Sequence, residues 1–69
     1  MLSKQPIQDN VIYSREEAAE ALGISLSTLK RLIHTGQLKA SQPNGLRRVF
    51  IKGSSIIEML NQTLVQSQQ

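Results

Sequence analysis

The sequence has no cysteine and no tryptophan, and only one tyrosine, one phenylalanine and one histidine. Without cysteine there is no disulfide, no thiolate chemistry and no cysteine-ligated zinc. A single histidine cannot build a histidine metal site. With so few aromatics the core must be assembled from Leu, Ile, Val and Ala, and 69 residues enclose one small core at most. No apolar run reaches the length of a membrane span, and the opening MLSKQPIQDN lacks a signal peptide's apolar stretch, so a cytoplasmic location is the expectation.

One further absence is positional. Residues 21–52 contain no acidic side chain, yet they hold Lys30, Arg31, Lys39, Arg47, Arg48 and Lys52. Residues 1–20 set Lys4 and Arg15 against Asp9, Glu16, Glu17 and Glu20, and residues 53–69 add only Glu58, which leaves a net charge of +3. A basic excess that served solubility alone would not need to be confined to one segment. Confined in this way, it is the footprint of a surface that faces phosphates.

What is present is organised around residues 13–36, YSREEAAEALGISLSTLKRLIHTG. Ser14 followed by Glu17 has the spacing of a capping box, so a helix is predicted over about 15–22, with Glu16 and Glu17 favoured in its first turn by the helix dipole. Gly23 can adopt positive φ and Ser25 can cap a second helix, predicted over about 26–35 and ended by Gly36. Ala19 places a methyl group where the two helices must come closest. Ala18, Leu22, Ile24, Leu29 and Leu32 would point into one shared seam. An N-cap, a small residue at the crossing, a glycine turn and a second cap together describe a helix-turn-helix, whose second helix lies in the DNA major groove. With Leu29, Leu32 and Ile33 as the buried stripe, the exposed face is Leu26, Ser27, Thr28, Lys30, Arg31 and His34.

The flanking segments complete the reading. Residues 1–10 show no apolar period and are expected to be a disordered arm. Residues 11–13 are β-prone and should dock on the core or add a short strand beside a later hairpin. That hairpin is predicted over residues 37–51, with strands 38–41 and 48–51 around Gln42-Pro43-Asn44-Gly45, where Asn-Gly supplies positive-φ residues for a tight turn. Arg47 and Arg48 stand just past its tip, which makes the hairpin a wing for phosphate or minor-groove contact. Ser54 or Ser55, the latter paired with Glu58, should cap a third helix to about residue 63, with Ile56, Ile57, Met59, Leu60 and Leu64 on its apolar face. Residues 65–69 should fray. The expected fold is therefore mainly α with a small β-hairpin, a winged helix-turn-helix over residues 11–64.

These residues resemble a known group. Tyr13-Ser14, Glu17-Ala18-Ala19, Leu22-Gly23-Ile24-Ser25, Thr28-Leu29, Arg31-Leu32-Ile33 and Gly36-Gln37-Leu38 look like the excisionase-family helix-turn-helix domain, a small relative of the MerR-type winged helix. Asn44 through Phe50 and the run from Ile51 to Leu60 extend the likeness. The resemblance implies that Ser27, Thr28, Lys30 and Arg31 face the major groove, and that Arg47 and Arg48 lie on the wing. The family includes recombination directionality factors and small transcriptional regulators. The terminal helix of the family often begins with an acidic residue where this chain has Ser54-Ser55. The long dimerisation helix and effector domain of MerR-type regulators have no counterpart here, so no small-molecule ligand is expected.

The function expected from the sequence is sequence-selective binding of double-stranded DNA, with no cofactor, no metal and no catalytic constellation. Ser27, Thr28, Lys30, Arg31 and His34 would read the major groove, and Lys39, Arg47, Arg48 and Lys52 would hold the backbone or minor groove. One short helix reads few base pairs, so useful selectivity calls for further copies on adjacent sites or a DNA-bound integrase or recombinase. A nucleoid-associated bacterial or phage excisionase is the leading expectation, and a transcriptional regulator with the same contacts is the alternative. A third possibility is a protein-interaction module working through the acidic first helix or a Leu26 patch.

Overall fold

Helix α1 spans Arg15–Leu22, and both of its ends are closed by its own sequence. The Ser14 hydroxyl accepts from the Glu17 N–H at 3.0 Å, and the Glu17 carboxylate accepts from the Ser14 N–H at 2.9 Å. This reciprocal pair satisfies two donors that would otherwise be orphaned at a helix start. At the other end Gly23 takes φ 73°, and the Ile24 N–H reaches back to the Ala19 carbonyl at 3.0 Å. Only glycine adopts that left-handed backbone without a Cβ penalty, so the chain reverses here. Helix α2, Leu26–His34, begins at once: the Ser25 hydroxyl accepts from the Thr28 N–H at 3.1 Å. It ends at Thr35 and Gly36, the latter at φ 85°. The Gln37 and Leu38 N–H groups both donate to the Leu32 carbonyl and fold the chain back on α2.

The computed structural model describes residues 7–65. The arm expected over residues 1–6 and the frayed tail expected over 66–69 lie outside the described residues.

Strand β1, Ile12–Tyr13, pairs antiparallel with β2, Ile51–Lys52, in the register Ile12 to Lys52 and Tyr13 to Ile51. The β-prone run before the first cap thus adds a strand beside the second half of the wing. Helix α3, Gly53–Gln62, follows β2 without a connecting residue. Among the described residues, three helices and a two-stranded antiparallel sheet make this a small, mainly α winged helix-turn-helix domain. Among the described residues no helix is long and apolar enough to cross a membrane.

Every layer contributes to the core: Ala18 and Ala19 from α1, Leu29 from α2, Leu38 after it, Ile51 from β2, and Ile56 and Met59 from α3. Two consecutive alanines let α1 and α2 approach closely, as the spacing of Ala19 from Gly23 anticipates. Leu22, Ile24 and Leu32 are half-buried around this centre.

Four local expectations are corrected. The wing hairpin is shorter than the strands 38–41 and 48–51 expected for it: Ser41 and Phe50 form its one bridge, exchanging bonds of 2.8 and 2.7 Å. Bonded pairs recur every second residue in an antiparallel ladder. The next pair toward the tip would be Pro43 with Arg48, and proline has no N–H to give. Toward the root it would be Lys39 with Lys52, and Lys52 is the N-cap of α3, so its carbonyl accepts the first bond of that helix. Second, only Gly45 has positive φ at the tip, at 85°. With the Leu46 N–H on the Pro43 carbonyl at 3.1 Å, the turn is of the type II kind, which asks nothing unusual of Asn44.

Third, neither Ser54 nor Ser55 caps α3. The helix starts one residue earlier, with Lys52 as N-cap and no side-chain bond. The chain enters it straight from β2, and the Gly53 N–H finds the Val11 carbonyl at 2.8 Å instead. Fourth, Leu26 is half-buried and packed on the core rather than exposed, whereas Leu60 and Leu64 are 42% and 74% exposed. α3 stops at Gln62, so Leu64 lies beyond the face it was expected to share.

Residues 7–10 also differ from a disordered arm. Ile7 packs against the core, the Gln8 N–H donates to the Tyr13 hydroxyl at 3.0 Å, and the segment crosses over the start of α3. Gly53 makes that crossing possible, because a Cβ there would sit 1.7 Å from the Gln8 carbonyl oxygen.

Candidate nucleic-acid interface

At about 100° per residue, the rotation of an α-helix, the buried side of α2 is set by Leu29, with Leu26, Leu32 and Ile33 beside it. Ser27, Arg31 and His34 then project directly away from the core. Thr28 and Lys30 fall on the two opposite flanks of that face. Ser27, Thr28, Lys30, Arg31 and His34 form one outward strip, with two cationic or donor side chains and a hydroxyl at its centre and one further donor on each side. Thr28 is partly committed already: its hydroxyl oxygen accepts from the Ser25 hydroxyl at 2.9 Å, which fixes the rotamer at the helix start.

In the wing, Lys39, Arg47 and Arg48 are all exposed, and so is Lys52 at the start of α3. The Arg48 guanidinium lies 5.7 Å from the centroid of the Phe50 ring. That is within cation–π reach, so the long side chain is held by the face of the one phenylalanine.

Arg47 and Arg48 do not stand alone. They share an open cleft of about 230 Å³ with Val49 and with Ser14, Arg15 and Glu16 from the beginning of α1. The structure thus brings the wing arginines to the first helix. Ser27, Thr28, Lys30, Arg31, His34, Lys39 and Lys52 do not line this cleft.

Arg15 is the residue that sequence reasoning passes over, counting it only as an offset to neighbouring acids. Its helical row holds the clue. Arg15, Ala18, Ala19 and Leu22 share the face of α1 that turns inward, whereas Glu16, Glu17 and Glu20 point to solvent. Arg15 stands at the open end of that inward row, is half-buried, and lines the cleft that it shares with the wing arginines.

Neither a curated protein nor a solved structure matches the chain. A family model described as a helix-turn-helix domain matches residues 12–63. A match running from β1 to the end of α3 makes the chain a member of this family, the excisionase-like group of helix-turn-helix DNA-binding domains.

Proposed function

We propose that the protein binds double-stranded DNA sequence-selectively, with α2 in the major groove and residues 38–51 on the adjoining backbone or minor groove. The observation that carries this reading is the outward face of α2: Ser27, Thr28, Lys30, Arg31 and His34 lie there together, with no acid among them. Arg31 at its centre is the leading candidate for a bidentate contact to a guanine edge, with Lys30 beside it. Lys39, Arg47, Arg48 and Lys52 contribute phosphate contacts, which give affinity without reading sequence. One α2 spans too few base pairs to define a site, so the protein works with further copies on adjacent sites or with a larger DNA-bound partner. The role we favour is that of an excisionase, which bends its site so that an integrase excises rather than integrates.

A mobility-shift series on the cognate site and on random duplex tests the assignment. Arg31→Ala and Lys30→Ala are expected to weaken cognate binding by about 1–3 kcal/mol each while sparing random duplex. Arg47→Ala with Arg48→Ala should weaken both alike and flatten the dependence of log K on log salt by about 0.9 for each phosphate no longer neutralised. Cognate binding unchanged in all these variants would overturn the surface assignment. A recombination assay with an integrase and its attachment sites then separates the roles. Excision stimulated by the protein supports the proposed role, while repression of a promoter without effect on excision points to a regulator.

A further inference from the structure

The cleft between α1 and the wing is lined by three guanidinium side chains, Arg15, Arg47 and Arg48, against one carboxylate, Glu16. Like charges are not gathered around one opening unless an anion or solvent compensates them, because mutual repulsion disfavours the arrangement. Val49, half-buried and packed on the core, is the one apolar residue of the lining and ties this part of the wing to the core. Arg15 is half-buried, and its position on the inward row of α1 limits where its head can go. Arg48 is steadied by the Phe50 ring. One of the three cations, Arg48, thus has an intramolecular partner before any ligand arrives, and a planar guanidinium suits paired hydrogen bonds to phosphate oxygens.

We infer that this cleft is a docking site for a backbone phosphate of the bound duplex, with Arg15 as a DNA-contacting residue of α1 alongside Arg47 and Arg48. The inference rests on the DNA-binding reading above and extends it from the second helix and wing to the first helix. It also assigns Glu16 a role. A carboxylate on the rim opposes the phosphate, which limits indiscriminate affinity, in contrast to Glu17, whose carboxylate is occupied by the Ser14 N–H.

Fluorescence anisotropy of the full chain with a labelled random-sequence duplex, titrated with potassium chloride, tests it. Arg15→Ala should weaken binding several-fold at low salt and reduce the slope of log K against log salt by about 0.9, the value for one phosphate. Arg15→Lys should retain most of that slope. Glu16→Gln should tighten binding at low salt, an effect independent of any packing role of Arg15. Circular dichroism melts of each variant separate a contact from a folding defect.

Wild-type slope and affinity in a folded Arg15→Ala variant, or no tightening in Glu16→Gln, would overturn the phosphate site while leaving the DNA-binding reading intact. A wild-type protein that binds neither cognate nor random duplex would overturn both.

Discussion

The helix-turn-helix and the wing are built by opposite means. In α1 and α2 each helix start is closed by a nearby side chain: Ser14 and Glu17 at one, Ser25 at the other. Their C-terminal reversals use Gly23 and Gly36, and the pair is buried together through Ala18, Ala19 and Leu29. The wing has one bridge, Ser41 with Phe50, and a turn at its tip, and residues 41–48 are exposed throughout. Its order is inherited from its roots, the fully buried Leu38 and Ile51. The half that would read bases is locally determined and packed. The half that would grip phosphates has few bonds of its own and can follow the backbone it meets. Such division is expected, since segments with little buried apolar surface open at the lowest free energy.

The largest effect that would test this contrast lies in the packed half. Leu29 is fully buried where α1 and α2 meet, so Leu29→Ala should destabilise by about 2–5 kcal/mol. A domain of this length has about 3–10 kcal/mol in total, so the variant should be substantially weakened in urea titrations at room temperature. Arg47→Ala, in the wing, should melt like the wild type, because surface substitutions usually stay within about 0.5 kcal/mol. Equal destabilisation by the two would mean that wing and helices form one cooperative packing unit.

A smaller effect sharpens the comparison at the helix starts. Ser14→Ala removes the acceptor for the Glu17 N–H and should cost about 1 kcal/mol. Ser54→Ala, by contrast, removes no capping bond, since α3 begins at Gly53 without one. It should change stability by less than about 0.5 kcal/mol. A melt in which the two serines prove equal would show that Ser54 acts as a cap in solution.

Those two serines also mark where the sequence is legible and where it is not. The ends of α1 and α2 can be read because their causes lie within three or four residues: a hydroxyl, a carboxylate, a glycine. The start of α3 cannot, because its first N–H is satisfied by Val11, far away in the chain. The same holds for Gly53, which reads as an ordinary glycine until the Gln8 backbone is found against it. Leu26 reads as exposed because it opens a helix, and the half-burial it has depends on tertiary neighbours. For the candidate interface, the outward face of α2 follows from periodicity alone. The meeting of Arg15 with Arg47 and Arg48 does not, since it joins residues more than thirty positions apart and needs the wing's direction. Pro43 is legible as a turn former, but the same missing N–H that suits a turn also ends the ladder.

That proline gives the smallest and most local test. Pro43→Thr restores an N–H opposite Arg48 and permits one more bonded pair beyond Ser41 and Phe50. The extra hydrogen bonding, about 1 kcal/mol, is offset by the greater freedom of the unfolded chain once proline is removed, about 0.4–1 kcal/mol. Global stability should therefore barely move. Amide exchange should show the change: the N–H gained at position 43, donating to the Arg48 carbonyl, should be protected toward the rate of the Phe50 N–H while the amides of α2 keep their wild-type rates. A stiffer wing also holds Arg47 and Arg48 in one geometry, so duplex binding should respond to the substitution even with the melt unchanged. If the N–H gained at position 43 exchanges as a free amide would, the missing N–H is not what keeps the wing open, and the turn in which the Leu46 N–H holds the residue-43 carbonyl is the cause instead.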